Sequence, residues 1–464
     1  MRSVRLPAGV RDYLPEAAAR RRAIVEALVG DFERWGYQRI ITPAFEFEDV
    51  LARGSGGGAP SAVRFVDAPS GDIAALRPDF TPQVARLVAT RMSDVGGPIR
   101  LCYEGSVTRS EGAGQGGAAR REVIQAGVEL IDAPAPAGDV EVLSLAAEAL
   151  SSVGLPDATL DVAEVSLVRE ALSDLPAALA REAGAAIAKK DRAAALRLSR
   201  AAGLSARRRK LLEALPSLYG GPDAGAVRAV LREAARLCET ARARAGLREL
   251  ERTLAALAVV APGLRVVVDL GEVRGFDYYT GVRFAGYVEG APGAVLVGGR
   301  YDDLVARYGR AAKATGFAVD VEAVAGALKR RAALASTSTS TSTSTSTSTS
   351  TSTSTRSAIT LVAGEPTAAR AVARALRGIG RPCAMELGGR RGTRALAEYA
   401  DKLGLGPVLR VSAQDIEVVP QRGRDRSQDA WLPDYLAARL AAGPAKAKAK
   451  AKSKSKSNVK RRRS

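Results

Sequence analysis

Val273-Arg274-Gly275-Phe276-Asp277-Tyr278-Tyr279-Thr280-Gly281 sits between two β-branched runs, Val266-Val267-Val268 before it and Val282 to Val288 after it. Gly298-Gly299-Arg300-Tyr301-Asp302 follows. Tyr, Asp, Arg and Gly thus collect at the ends of expected strands. Glycine at such ends lets a sheet bring polar groups close to a ligand. Taken alone, the stretch has two readings. Tyr278 and Tyr279 are half-buried strand aromatics, the usual fate of Tyr, or they line a pocket. The surrounding chain decides between them.

On the N-terminal side, residues 16–35 read as an amphipathic helix, with Pro15 and Glu16 as start signals and Ile24, Leu28 and Phe32 at helical spacing. A strand is expected over 37–41, a hairpin over 63–76, and a helix from Pro82 to Met92. Ile99–Tyr103 and Val123–Ile131 read as further strands, and 138–153 as a helix. Residues from about 165 to 260 switch to Ala, Leu, Arg and Glu at helical spacing, an insertion between two parts of one sheet. A last helix is expected at 320–331. The Ser-Thr alternation at 336–355 has nothing apolar to bury and reads as a solvated linker. Residues 356–440 hold a βαβαβ pattern over 358–411, a small α/β domain. The stretch 444–464 reads as a disordered basic tail.

Composition narrows the chemistry. There is no histidine among the 464 residues. That excludes histidine acid–base catalysis, a Ser-His-Asp triad and His-ligated metal. Cys102, Cys238 and Cys383 are far apart in sequence and form no CxxC, which suits a reducing compartment. No apolar signal core and no apolar run near the ~20 residues of a membrane span are found, so the cytoplasm is expected. The net charge is +19, but ten positive charges lie in 446–464. The remainder carries 59 basic and 50 acidic residues. The polyanion-binding signature therefore belongs mostly to the tail, which has no aromatic residue for stacking, and no specific nucleic-acid site is expected.

Several polar residues fall at strand ends: Asp79 and Thr81, Arg109 and Glu111, Gln125 and Glu129, then Arg274, Tyr278 and Tyr279. Gln125, Gly127 and Glu129 share one strand face, because side chains repeat every two residues. Gly127 is expected to leave open space between the Gln and the Glu. An acid there could take an ammonium or a cationic ring, and an Arg a carboxylate, which suits a small zwitterion. The alternative is a set of unrelated charges on an antiparallel sheet.

The segments Leu76-Arg77-Pro78-Asp79-Phe80-Thr81, Tyr103-Glu104-Gly105-Ser106-Val107-Thr108-Arg109-Ser110-Glu111, Gln125-Ala126-Gly127-Val128-Glu129 and Val273 to Tyr279 resemble the catalytic core of histidyl-tRNA synthetases. The resemblance spans about residues 7–330. It implies an α+β fold of the class II synthetase kind for residues 1–330: an antiparallel sheet flanked by helices, forming a self-dimer. Two departures bear on function. The synthetases start their last core helix with a Gly-Leu-Glu-Arg-like run whose Arg holds ATP. Here the run is Asp320-Val321-Glu322-Ala323, and Asp320 puts negative charge where phosphates would lie. The loop at 112–119 is mostly Gly and Ala, keeping Arg120 and Arg121 beside it.

That combination resembles the regulatory subunits of ATP phosphoribosyltransferase, paralogues of the synthetase in histidine biosynthesis. The resemblance implies a non-catalytic subunit that joins a short-form catalytic subunit in a hetero-oligomer and confers feedback inhibition by L-histidine. It places Asp79, Thr81, Arg109, Gln125, Glu129, Arg274, Tyr278 and Tyr279 at histidine-binding positions, with no catalytic residue, no metal and no cofactor. Asp79 is one methylene shorter than the Glu the synthetases carry. The alternative is an active histidyl-tRNA synthetase, for which residues 356–440 would be an anticodon-binding domain; in the regulatory reading they are a degenerate one.

Overall fold

The structure, a computed structural model, describes residues 5–55, 62–113, 120–201, 203–273, 278–338, 358–421, 429 and 432–441. The chain divides into two compact units, one of residues 1–32 and 38–345, the other of 33–37 and 346–464.

The first unit is built on a nine-stranded sheet. Its strands lie in the order Gln38–Arg39, Ile99–Ala113, Arg120–Ile131, Ala314–Asp320, Leu296–Arg300, Val282–Tyr287, Thr159–Glu164, Arg265–Asp269 and Tyr219–Gly220. The six central strands pair antiparallel, while Gln38–Arg39 and Arg265–Asp269 each pair parallel with a neighbour. This is the α+β sheet expected from the sequence. The strand at 99–113 runs on through Gly105, whose φ of +151° is a conformation glycine tolerates best.

The two faces of the sheet differ. On one, Phe317 packs between Phe284 and the helix Pro15–Arg34, whose Ile24, Leu28 and Phe32 are buried at the expected spacing. Phe32 meets Phe317 edge-on at 5.7 Å between ring centroids. Shortening Phe32 to Ala would cost about 3–5 kcal/mol. On the other face the strands carry small residues at matched register, Gly127 opposite Ala318 and Gly316 opposite Gly299. These small residues make room on that face for the larger side chains beside them, Tyr103 opposite Gly127, Glu129 opposite Gly316 and Arg283 opposite Gly299.

Six α-helices between Val165 and Val260 form the insertion expected over 165–260. Their joints are capped by side chains. Glu170 accepts from the backbone N–H groups of Glu239 (2.7 Å) and Thr240 (2.9 Å). The Thr240 hydroxyl oxygen accepts from Ala243 N–H at 3.1 Å and starts the helix Ala241–Val260. The insertion also supplies the edge strand Tyr219–Gly220, which pairs with Arg265–Asp269. Two residues carry too little pattern to announce a strand.

The last helix of this unit, Val321–Ser338, runs past 331 into the Ser-Thr alternation. Ala332, Ala333, Leu334 and Ala335 are good helix formers and carry it on. The rest of that alternation and the tail beyond 441 lie outside the described residues.

The second unit has a four-stranded sheet in the order Cys383–Met385, Thr360–Gly364, Val408–Val411 and Ile416–Val419. Leu361, Val362, Ala363, Val408 and Leu409 are buried on both sides of the sheet, as parallel strands covered by helices require. The antiparallel strand Ile416–Val419 and the helix Leu432–Ala441 extend the expected βαβαβ pattern. No helix of the described residues is long and apolar enough to cross a membrane.

Candidate functional site

The glycine-floored face gathers most of the residues singled out by sequence. In the strand Arg120–Ile131, Gln125 lies opposite Gly105, Gly127 opposite Tyr103, and Glu129 opposite Leu101. On its other side these three face Asp320, Ala318 and Gly316. The space over Gly127 is not open, contrary to the sequence reading. A Cβ on Gly127 would lie 2.5 Å from the Tyr103 hydroxyl, so Tyr103 covers it. A glycine beside a large cross-strand neighbour makes room for that neighbour first.

Tyr103 is in turn fixed from above. Phe80 stacks on it at 4.2 Å with planes 14° apart, and the Arg77 guanidinium sits 4.1 Å from the Phe80 ring centre. Arg77 is held by Ser106 O (2.7 Å) and Thr42 O (3.1 Å). The motif Arg77-Pro78-Asp79-Phe80-Thr81 therefore pins one wall of the site and opens the helix Thr81–Arg91.

Glu129 is the centre of the arrangement. It is 1% exposed. Its Oε1 accepts from the Thr81 hydroxyl at 2.8 Å and from the Tyr103 hydroxyl at 3.3 Å. Its Oε2 is buried with no hydrogen-bond partner among the described residues, and so is Gln125 Oε1. Burial pushes the Glu129 carboxyl well above the usual carboxylate range, and the negative charge of Asp79 adds to the rise. The bonds from Thr81 and Tyr103 oppose it. A buried acid with one oxygen oriented and the other open suits a donor brought in by a ligand.

Asp79 is half-buried beside it, its Oδ1 accepting from Thr81 N–H at 3.3 Å. Burial raises its carboxyl, and the positive charge of Arg109 counters this. Arg109 itself is half-buried, with Nε reaching Pro78 O at 3.4 Å. Tyr278 and Tyr279 form the facing wall, their rings 4.5 Å apart and their hydroxyls 3.3 Å apart. Tyr279 lies over Gly299, where a Cβ would meet its ring at 2.7 Å. Burial pushes the Tyr279 hydroxyl up to about 12 and raises Tyr278 well above its ordinary value. Arg274 lies outside the described residues.

Sequence reasoning missed two participants. Tyr103 lies within a longer motif, and only the pairing of the two strands sets it opposite Gly127. Arg283 lies directly across from Gly299 on the next strand, hence on the face that carries Tyr279. It is 6% exposed, pairs with Glu272 at 3.2 Å, and its charge reaches Tyr279. The run Val282-Arg283-Phe284 reads as an ordinary strand, and nothing in it marks the guanidinium as facing the site.

The position of Asp320 has a physical consequence. Its Oδ1 accepts from Ala323 N–H at 2.8 Å and caps the helix Val321–Ser338. Arg120 donates to both of its oxygens at 3.3–3.4 Å. A helix N-terminus beside an Arg is a ready anion site. Here the chain's own carboxylate fills it. Among the described residues no group of His, Cys, Asp and Glu could hold a metal ion.

The family model for histidyl-tRNA synthetase matches residues 9–324. The chain is 41% identical over 329 residues to an ATP phosphoribosyltransferase regulatory subunit from Geobacter sulfurreducens, covering 70% of this chain and 73% of that protein. It is 38% identical over 429 residues to a protein of the same name from Syntrophotalea carbinolica, covering 91% and 94%. Among solved structures, an ATP phosphoribosyltransferase regulatory subunit/histidyl-tRNA synthetase from Bacillus halodurans superposes with a TM-score of 0.63 at 26% identity, over 88% of this chain and 98% of that one.

Proposed function

This chain belongs to the histidyl-tRNA synthetase family, among the ATP phosphoribosyltransferase regulatory subunits, and we propose that it is the histidine sensor of that enzyme complex. In this reading it joins a catalytic subunit that performs the first step of histidine biosynthesis. It carries no reaction of its own and passes feedback inhibition by L-histidine to its partner.

The observation that carries the reading is the contrast between the two halves of one site. The amino-acid half keeps a buried acid, Glu129, oriented by Thr81 and Tyr103 and walled by Tyr278 and Tyr279. Its unpaired Oε2 suits an imidazole N–H or an imidazolium, and the charge of Asp79 raises the Glu129 carboxyl further. The phosphate half is closed from within by the Asp320–Arg120 pair. An ATP triphosphate would have to displace that carboxylate and accept repulsion from it. Binding without adenylation is what such a site favours, so aminoacylation is lost.

Regulation requires histidine to prefer one state of the complex over another. We place the sensor in a self-dimer through the synthetase-like core, with residues 1–330 as that core, 336–355 as a linker and 356–440 as a separate small domain. The basic tail contributes salt-dependent, non-specific polyanion contact only.

Calorimetry of L-histidine with the purified chain, alone and with its catalytic subunit, tests the reading. Saturable binding, unchanged by deletion of 444–464, is expected. Histidine-dependent ATP–pyrophosphate exchange by the chain would instead establish an active synthetase. Absence of histidine binding in both settings would remove the sensor.

A further inference from the structure

The insertion reaches the pocket wall through its first helix, Val165–Leu172. The strand Thr159–Glu164 pairs antiparallel with Val282–Tyr287, Glu164 opposite Val282. The chain then turns into the helix Val165–Leu172, and Val165 N–H donates to Gly281 O at 3.3 Å. One turn later Arg169 donates through Nη2 to the backbone carbonyl of Tyr279. Tyr279 is thus held from two sides. Its carbonyl is gripped by the insertion, and its ring lies over Gly299, beside the buried Arg283–Glu272 pair.

The next residue reaches the other way. Glu170 is buried, and its two carboxylate oxygens take the N–H groups of Glu239 and Thr240 and the Thr240 hydroxyl. These groups form the N-terminus of Ala241–Val260, a 20-residue helix of the insertion. A helix end left without such a partner is destabilised. Two consecutive side chains on one short helix therefore connect the tyrosine wall to the start of that helix. Helix Ala241–Val260 also presses back, since a Cβ on its Gly246 would meet Glu164 Oε1 and Ser166 Oγ at 2.6 Å. The helix Val165–Leu172 has little room to move without moving both partners.

We propose that Arg169 is a positioning residue of the ligand pocket, and that the helix Val165–Leu172 carries pocket occupancy to the insertion helix Ala241–Val260 through Arg169 on one side and Glu170 on the other. The proposal rests on the histidine-sensor reading and adds the route by which a filled pocket reaches a surface away from it. A ligand that orders Tyr279 orders the carbonyl that Arg169 holds. The ordering then passes through a single helix to the Glu170 cap. Rigidification by a ligand is a sufficient means of coupling, without a large displacement.

Hydrogen exchange read by mass spectrometry, with and without saturating L-histidine, separates the links. In the wild type, histidine should slow exchange in the pocket strand 120–131, in 165–172 and in 241–260. Arg169→Gln should bind histidine roughly tenfold more weakly, as the loss of one charge-assisted bond implies. At saturation it should still protect 120–131 but neither helix. Arg169→Lys, which keeps a donor, should recover part of both effects. Glu170→Gln should keep protection of 165–172 and lose it in 241–260. Protection of 120–131 in each variant shows that the variant is folded and occupied. Protection of 241–260 in Arg169→Gln equal to the wild type would overturn the proposal. So would a wild type that binds histidine yet protects neither helix. A wild type that binds no histidine would overturn the sensor reading and this proposal with it.

Discussion

Replacing Glu129 by Gln changes one atom of the site and should move two observables in opposite directions. The amide keeps the shape of the carboxyl and can still accept from Thr81 at the 2.8 Å position. What it loses is the capacity to ionise against a cationic ligand and the second acceptor, Oε2, a buried atom with no hydrogen-bond partner among the described residues. Hydrogen bonds to a charged partner contribute about 1.5–3 kcal/mol, so histidine affinity should fall by roughly 10- to 150-fold. Stability of the ligand-free chain should change the other way. Because burial raises the folded pKa of Glu129 above its unfolded value, the folded state holds an extra proton at pH values between the two. The contribution of this group to stability is therefore greatest below its unfolded pKa of 4.5 and is lost as pH rises toward the folded value. The slope within that window approaches ~1.4 kcal/mol per pH unit. The Gln variant lacks this loss and should melt at or above the wild type at pH 8, with the difference shrinking toward pH 5. Calorimetric titration with L-histidine and thermal melts across that range measure both. Equal histidine affinity in the two proteins, or a melting difference that does not grow with pH, would refute the reasoning.

Three further perturbations follow from the same geometry. Gly127→Ala places a Cβ 2.5 Å from the Tyr103 hydroxyl and 2.6 Å from Phe317 O; denaturant unfolding should report a loss of about 1–3 kcal/mol, with weaker histidine binding. Asp320→Ala removes a helix cap, costing about 1 kcal/mol, and frees Arg120 and the helix N-terminus; calorimetry should show tighter ATP binding by the variant than by the wild type. Asp161 is pushed up to about 6 by burial and then by the charges of Asp269 and Glu272. Its stabilising contribution is present below its unfolded pKa and lost as pH rises through 6, so Asp161→Asn should raise the melting temperature at pH 7 and leave it unchanged near pH 4.

The sequence carried the sheet and the insertion because their signals are local. Ile24, Leu28 and Phe32 recur at the helical period, and the 165–260 segment changes composition where it leaves the sheet. The site was legible in part. Alternation along one strand put Gln125 and Glu129 on one face, and a motif drew Asp79 and Thr81 toward them. What sequence could not supply was register between strands. Tyr103 and Gly127 are 24 residues apart, and only the pairing of their strands sets one over the other. The same holds for Arg283 opposite Gly299 and for Arg169 at the Tyr279 carbonyl, where the partners are 110 residues apart. The identity of the Asp320 partner was equally hidden. Its negative charge was visible, but the Arg120 pair and the helix cap needed the fold.

The most direct test measures phosphoribosyl transfer by the catalytic subunit reconstituted with this chain, with L-histidine titrated against wild-type and Glu129→Gln complexes. Both complexes should be active, the wild type should be inhibited by histidine, and the variant should need at least tenfold more histidine for the same inhibition. Equal inhibition of the two complexes, or of the catalytic subunit without this chain, would contradict it.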